Sequence, residues 1–526
     1  MTKTLISGAR IIDGSGSPAF SGSVLIENDR IQAVFRAPLA VDDARQVDAS
    51  GLVLAPGFID VHAHSDLSIL AEPEAIGKIS QGITSELSGN CGLSAFPIRT
   101  AEVREHLKKL YRTYGVALTW SDFSSYADAV TAARPAINVG FLCGHNTLRA
   151  NVFGYENTPG NLAGWERERD LLAEMLEQGA LGFSTGLLYT PGKFAPPEEL
   201  RIVASALRGF DAPYATHLRS EGDALIESLE EALAIARAGS GRLQISHLKT
   251  AKPRNWHKLD AVLSLIESAR REGLRVTADR YPYTFAQTSL SVVLPPPYDG
   301  MTDAKIQETL SGSPEETERL TAELSRMNLR WETVLLCSTQ VAGMMQYAGC
   351  SFSEISEKLR MPPERICMDL LRRDSVGTMA AFGGLSPENL ARILSQEWVC
   401  CGTDETARPV SGRIGRCHPR GFGSFPRFLN LCRAAGIPWE TAVARMTSLP
   451  ASIFHLSGRG RIAPGCFADL VLFSETEFRD CADFVSPHAL SAGLNAVYVN
   501  GELAFSGGRV QTRAGCVLKG MPQSSR

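Results

Sequence analysis

The chain has 526 residues, 44% hydrophobic and 21% charged, the mixture of a folded protein with two or three domains, and this excludes general disorder. Fifty-three Lys and Arg face fifty-seven Asp and Glu, a formal net charge of −4 without any basic block, which argues against a nucleic-acid partner. The opening Met1-Thr2-Lys3-Thr4-Leu5-Ile6-Ser7-Gly8 loses its apolar character too early for a signal-peptide core, no apolar run is long enough to span a membrane, and twelve Cys are too few for a disulfide scaffold, so a cytoplasmic protein with reduced thiols and no membrane partner is expected.

In chain order, residues 4–12, 23–26 and 31–35 read as short strands around the turns Gly14-Ser15-Gly16 and Asn28-Asp29. From there short apolar runs alternate with longer helical stretches, the pattern of repeated βα units around a parallel sheet. Eight candidate strands follow, at 53–61, 83–87, 137–143, 180–184, 214–216, 243–246, 275–278 and 398–401. Helices fit between several of them, at 167–178, 224–238 and 259–272, each closing just before a Gly. Cys143, Cys337, Cys400 and Cys401 sit in apolar runs, where a thiol packs as a small hydrophobe.

The count suits a (β/α)8, TIM-like barrel of the α/β class. Residues 334–338 and 378–382 also read as strands and would make ten, so 292–347 is taken as an insertion subdomain, opening at Leu294-Pro295-Pro296-Pro297 and carrying a polar helix at 314–327. The tail returns to strands at 468–473 and 496–499, followed by the hairpin-type pair Asn500-Gly501. The expected organisation is a small β-sandwich domain from 1–55 plus 455–526, a hydrolase barrel from 56–291 plus 348–454, and the insertion.

Residue types that bind metals fall at the downstream ends of these strands. His62 and His64 end the first, Cys91 follows the second in Gly89-Asn90-Cys91-Gly92, His217 ends the fifth, His247 the sixth, and Asp404 follows the eighth. In a barrel these ends open on one face, where residues remote in sequence converge. The pleat turns alternate residues the same way, which explains the His-x-His spacing. Imidazole, thiolate and carboxylate are the ligand set of zinc, and hydrolysis is the chemistry such a site supplies. Taken singly, each residue also has a structural reading: a buried thiol for Cys91, a turn or helix-cap carboxylate for Asp404, and hydrogen-bonded core or loop residues for His145, His257, His418 and His455. Spacing does not choose between them.

The segment Pro56-Gly57-Phe58-Ile59-Asp60-Val61-His62-Ala63-His64 resembles the first-strand signature of the amidohydrolase superfamily. The stretches from Gln81 to Thr84 and Gly89 to Gly92, with Gly182 to Tyr189, Ser246 to Lys249, Ala278 to Tyr283 and His418-Pro419-Arg420, resemble its N-acyl-D-amino-acid deacylase (D-aminoacylase) branch over nearly the whole chain. The resemblance implies a zinc-dependent hydrolase acting on a small-molecule partner, an N-acyl-D-amino acid. It places the principal zinc on Cys91, His217 and His247, and a second, weak or empty position among His62, His64 and Asp404. Asp404 matches the general acid/base, taking a proton from the attacking water and passing it to the leaving amine. Lys249, Tyr189 and Tyr283, with Ser289 as a further candidate, match the cradle for the substrate carboxylate.

Two positions depart from the branch. Glu405 stands where Gly commonly follows the acid/base Asp, and Arg280 replaces a neutral polar residue, where it could pair with Asp279, Glu405 or an acidic substrate side chain. Two other readings compete. A cyclic-amide hydrolase of the hydantoinase or dihydroorotase type would carry a bridging Lys on the fourth strand, absent from 180–184. A catalytically silent barrel scaffold should have lost ligands, whereas all six positions keep ligand-type residues.

Overall fold

The computed structural model describes residues 3–37, 39, 41–327 and 329–520. Eight strands pair in parallel as a barrel, in chain order Phe58–Asp60, Ile83–Ser88, Asn138–Gly144, Gly182–Gly186, Tyr214–His217, Arg242–Ile245, Arg275–Arg280 and Val399–Cys401. All eight expected strands are there. The ring closes just beyond its first and last strands, where Ala63 bridges Glu405, Asp404 N–H donates to His62 O (2.8 Å) and His64 N–H donates to Glu405 O (3.1 Å). Beneath this seam lies the buried Lys78, whose Nζ donates to Asp60 Oδ2 (2.8 Å), Thr403 Oγ1 (2.7 Å) and Glu405 O (2.8 Å). A fully desolvated ammonium is tolerable only with such partners, so Lys78 ties the first strand to the loop after the eighth.

Inside the barrel Ile59, Val61, Leu87, Leu142, Leu181, Ala215 and Cys400 pack into one core with Phe454, Leu456 and Leu518. The interior is therefore filled, as in barrels of this size, and only the ends of the strands are available for chemistry.

The expected first strand, 53–61, proves to be two. Val53–Pro56 belongs to the terminal sheet and Phe58–Asp60 to the barrel. They part at Gly57, where a Cβ would stand 2.2 Å from Thr84 Oγ1. Val53–Pro56 pairs with both Lys3–Ile11 and Leu470–Phe473, so the expected sandwich takes the form of one continuous nine-stranded sheet built from both termini. Side-chain alternation serves two cores at once. Leu54, Leu470 and Leu472 face the sheet's own cluster with Ile6 and Ile11, whereas Val53, Ala55, Val471 and Phe473 join the barrel's.

The appended subdomain is wider than 292–347. Its core runs from Leu290 through Leu336 and Phe352 to Leu371 and Ala380. Ala286–Ser289, Val334–Ser338 and Met379–Phe382 form its three-stranded antiparallel sheet. The two surplus strands of the sequence pattern thus pair with each other rather than with the barrel, and the chain returns to the barrel only after 382. The tail also divides: Cys516 O and Leu518 N–H bond to Val139, and Gly520 N–H to Gly179 O, so its last described residues line the barrel rather than the terminal sheet.

Candidate metal centre

Six side chains converge at the carboxyl ends of the barrel strands. His62, fully buried, directs Nε2 to within 3.4 Å of both Cys91 Sγ and Asp404 Oδ1. His64 Nε2 stands 3.0 Å from the same Asp404 oxygen, so the two imidazoles share one target. His247 Nε2 lies 3.6 Å from Cys91 Sγ. The His217 ring meets the His247 ring edge-on, centroids 4.5 Å apart. Donor atoms of His62, Cys91, His247 and Asp404 all lie within 4.8 Å of one another. Cys91, His247 and Asp404 adopt left-handed backbone (φ 52°, 38° and 52°), costly for non-glycine residues and held only where the surroundings over-determine it. Around Cys91 the fit is tight: a Cβ on Gly92 would stand 2.4 Å from Asn146 Oδ1.

Charges here sustain one another. Burial alone would raise the Cys91 thiol, yet the charge on His62 and the contacts of His217 and His247 hold it well below its ordinary range. Asp404 is likewise driven up by burial but kept far below the carboxylate range by Arg420, whose Nη1 donates to Oδ2 at 2.8 Å, and by His62 and His64. His64 answers in kind: burial works against its charge, and Asp404 and Cys91 lift it to about 9. His62 is fixed from behind by Asp279, whose Oδ1 stands 2.9 Å from Nδ1 and also accepts from His247 N–H (2.9 Å).

The expected substrate-side residues divide. Lys249 Nζ reaches His247 Nδ1 (2.9 Å) and the Glu221 carboxylate, and the Tyr189 ring sits 5.0 Å from that of His217 with its hydroxyl 3.4 Å from Thr288 Oγ1. Both are at the centre. Ser289 is not: it donates to Asp303 Oδ1 (3.0 Å) inside the appended subdomain, because one step along the strand turns it away from the side Thr288 presents. Arg280 is turned by the same rule, since its neighbour Asp279 faces His62. It pairs with neither Asp279 nor Glu405; its Nη2 donates to Tyr283 O (2.7 Å) and its guanidinium stacks on Tyr281. The Tyr283 hydroxyl contacts Pro419 O (3.4 Å) and its ring packs on His418. Tyr281, which the sequence did not single out, stands nearer, its ring 6.5 Å from that of His247 and beneath Arg420. Glu405 pairs with Arg408 (3.2 Å), which neutralises its extra charge.

The amidohydrolase family pattern matches residues 45–310 and 376–505. The chain belongs to this family. An N-acyl-D-glutamate deacylase of Alcaligenes xylosoxydans xylosoxydans is 33% identical over 99% of each chain, and a D-aminoacylase of the same organism is 34% identical over 97% of each. The solved N-acyl-D-glutamate deacylase of Bordetella bronchiseptica, complexed with zinc and a phosphonate mimic of the tetrahedral intermediate, superposes with a TM-score of 0.80 at 32% identity, covering 99% of this chain and 100% of that one.

In this amidohydrolase the donor set fits a divalent ion that favours nitrogen and sulfur. Neither ring nitrogen of the buried His217 makes a close hydrogen bond among the described residues, its Nε2 standing 3.7 Å from Glu221 Oε2, a state that a bound cation would relieve. Sequence reasoning missed four groups that shape the site: Asp279, Glu221, Lys78, and Arg420, noted only as part of a motif. A signal existed for Glu221, a carboxylate four residues beyond a strand-end His. Asp279 entered only within its motif and as a candidate partner of Arg280, and Lys78 not at all, since the contacts that tie them to His62 and to the loop after the eighth strand span 217 and more than 300 residues.

Proposed function

We propose that this amidohydrolase is a zinc-dependent deacylase that hydrolyses the amide of N-acyl-D-amino acids to a carboxylate and the free D-amino acid. The observation that carries this reading is the thiol of Cys91 drawn among His62, His247 and Asp404, in a chain that matches two deacylases of such substrates from end to end. Cys91, His217 and His247 would hold the principal zinc, and His62, His64 and Asp404 would line a second, weaker position. When bound, zinc polarises the scissile carbonyl and makes water a nucleophile near neutral pH.

The chain's own residues do the rest. Asp404, kept ionised by Arg420, accepts the proton of the attacking water and delivers it to the leaving amine nitrogen. His62 and His64 hold its other oxygen in place. Lys249 supplies the cation and Tyr189 a hydroxyl for the substrate carboxylate, whose burial without partners would be prohibitive. A place in the cytoplasm belongs to the same proposal.

Zinc-loaded protein offered matched N-acetyl-D and N-acetyl-L derivatives of Met, Leu, Phe, Glu and Asp tests it. Release of free amino acid is expected from the D series alone. Hydrolysis of the L series at equal rates, or silence across both, overturns the proposal.

A further inference from the structure

The His247 ring faces two neighbourhoods with different demands. Its Nε2 is turned to Cys91 Sγ, the side on which a metal would be held. For Nε2 to offer a lone pair, the ring proton must sit on Nδ1. Two side chains reach Nδ1 equally closely: Glu221 Oε1 at 2.9 Å and Lys249 Nζ at 2.9 Å. They pull in opposite directions. A carboxylate only accepts, so it favours the proton on Nδ1. An ammonium only donates, so it favours a bare Nδ1 and a proton on Nε2, where it would meet the thiol and block a metal. Glu221 Oε1 is also the atom that binds Lys249 Nζ, so one oxygen secures the ring proton and draws the ammonium aside. The backbone of Glu221 is itself anchored, its carbonyl accepting from Ala251 N–H (2.7 Å), and the nearby Arg219 is already paired with Glu231 through two contacts of 2.9 Å.

We propose that Glu221 is a positioning residue that imposes the metal-competent tautomer on His247 against the competing donor Lys249. The proposal rests on the metal centre but not on the substrate, so a failure of the deacylase reading leaves it standing.

Zinc affinity, measured by competition with a chromophoric chelator and no substrate present, tests it. Glu221→Leu should weaken zinc binding about 10- to 100-fold, the range for outer partners of metal-binding histidines. Glu221→Gln, which keeps an acceptor oxygen, should lose less. Adding Lys249→Met to Glu221→Leu should restore several-fold, because the wrong donor is gone, and more than Lys249→Met gains in the parent. Imidazole ¹⁵N shifts of the zinc-loaded parent and Glu221→Gln should show His247 bound through Nε2 with its proton on Nδ1, a reading that does not need the leucine variant to fold. Equal effects of Lys249→Met in both backgrounds, parent-like affinity in Glu221→Leu, or His247 bound to zinc through Nδ1 would each overturn the proposal.

Discussion

At the carboxyl ends of the barrel strands His62, Cys91, His247 and Asp404 bring their donor atoms within 4.8 Å of one another, and between three helices His145, Glu168 and Glu199 do the same. Both clusters are buried and made of metal-binding residue types. They differ in donor chemistry and in backbone. In the second, His145 Nε2 meets Glu199 at 3.1 Å and Glu168 at 3.3 Å, and Arg149 Nε donates to Glu199 Oε1 at 2.9 Å. Two carboxylates thus face two cations, all on the regular helices His145–Phe153, Leu162–Glu177 and Pro197–Ala204. In the first, a depressed thiol and carboxylate gather around imidazoles, and three of the residues hold left-handed backbone. Burial and residue type do not tell the two clusters apart; a depressed thiol among the donors and left-handed backbone beneath them do.

That contrast can be broken most severely at Asp404. Asp404→Asn should lower kcat by roughly a thousandfold while leaving zinc content intact, as expected for loss of the proton carrier; steady-state kinetics beside metal analysis checks it, and substantial residual turnover would remove Asp404 from that role.

Next comes the ion cluster, where loss of one partner should cost about 3 kcal/mol of stability. Burial opposes the charge on His145, but Glu168 and Glu199 raise it from 6.5 to about 9. The stabilisation is therefore complete below the unfolded value and fades as pH rises through the folded one. His145→Gln should differ most from the parent in thermal melts near pH 6 and least near pH 10, with unchanged zinc content at any pH where it folds.

A smaller effect is expected at Arg420. Arg420→Met removes the charge that depresses Asp404, so turnover should fall about tenfold and the acid limb of the pH–rate profile should move to higher pH, since more Asp404 is then protonated at a given pH. The least is expected at the strand of the appended subdomain: Thr288→Ala should raise KM a few-fold through Tyr189, and Ser289→Ala, at the residue the sequence had offered as a candidate, should leave it unchanged.

Much of this was legible. Eight apolar runs with long helical spacers pointed to the barrel, and ligand-type residues at their downstream ends converge because parallel strands share one open face. The same parity argument fails where a single residue decides the side, as with Ser289 against Thr288 and Arg280 against Asp279, because strand register is set by pairing that the sequence does not display. The left-handed backbone at Cys91, His247 and Asp404 has no glycine to announce it. Lys78 reads as a surface helix residue until Asp60, Thr403 and Glu405 surround it, and the extent of the appended subdomain depends on residues 352–380 packing back onto 290–336.

The most direct measurement is zinc per chain, read side by side on the parent, Cys91→Ala and His145→Gln after the same zinc loading and gel filtration. The expected result is at least one zinc retained by the parent and by His145→Gln, and loss of that zinc from Cys91→Ala. Parent-like zinc in Cys91→Ala, or loss from a folded His145→Gln, would contradict the assignment of the metal centre.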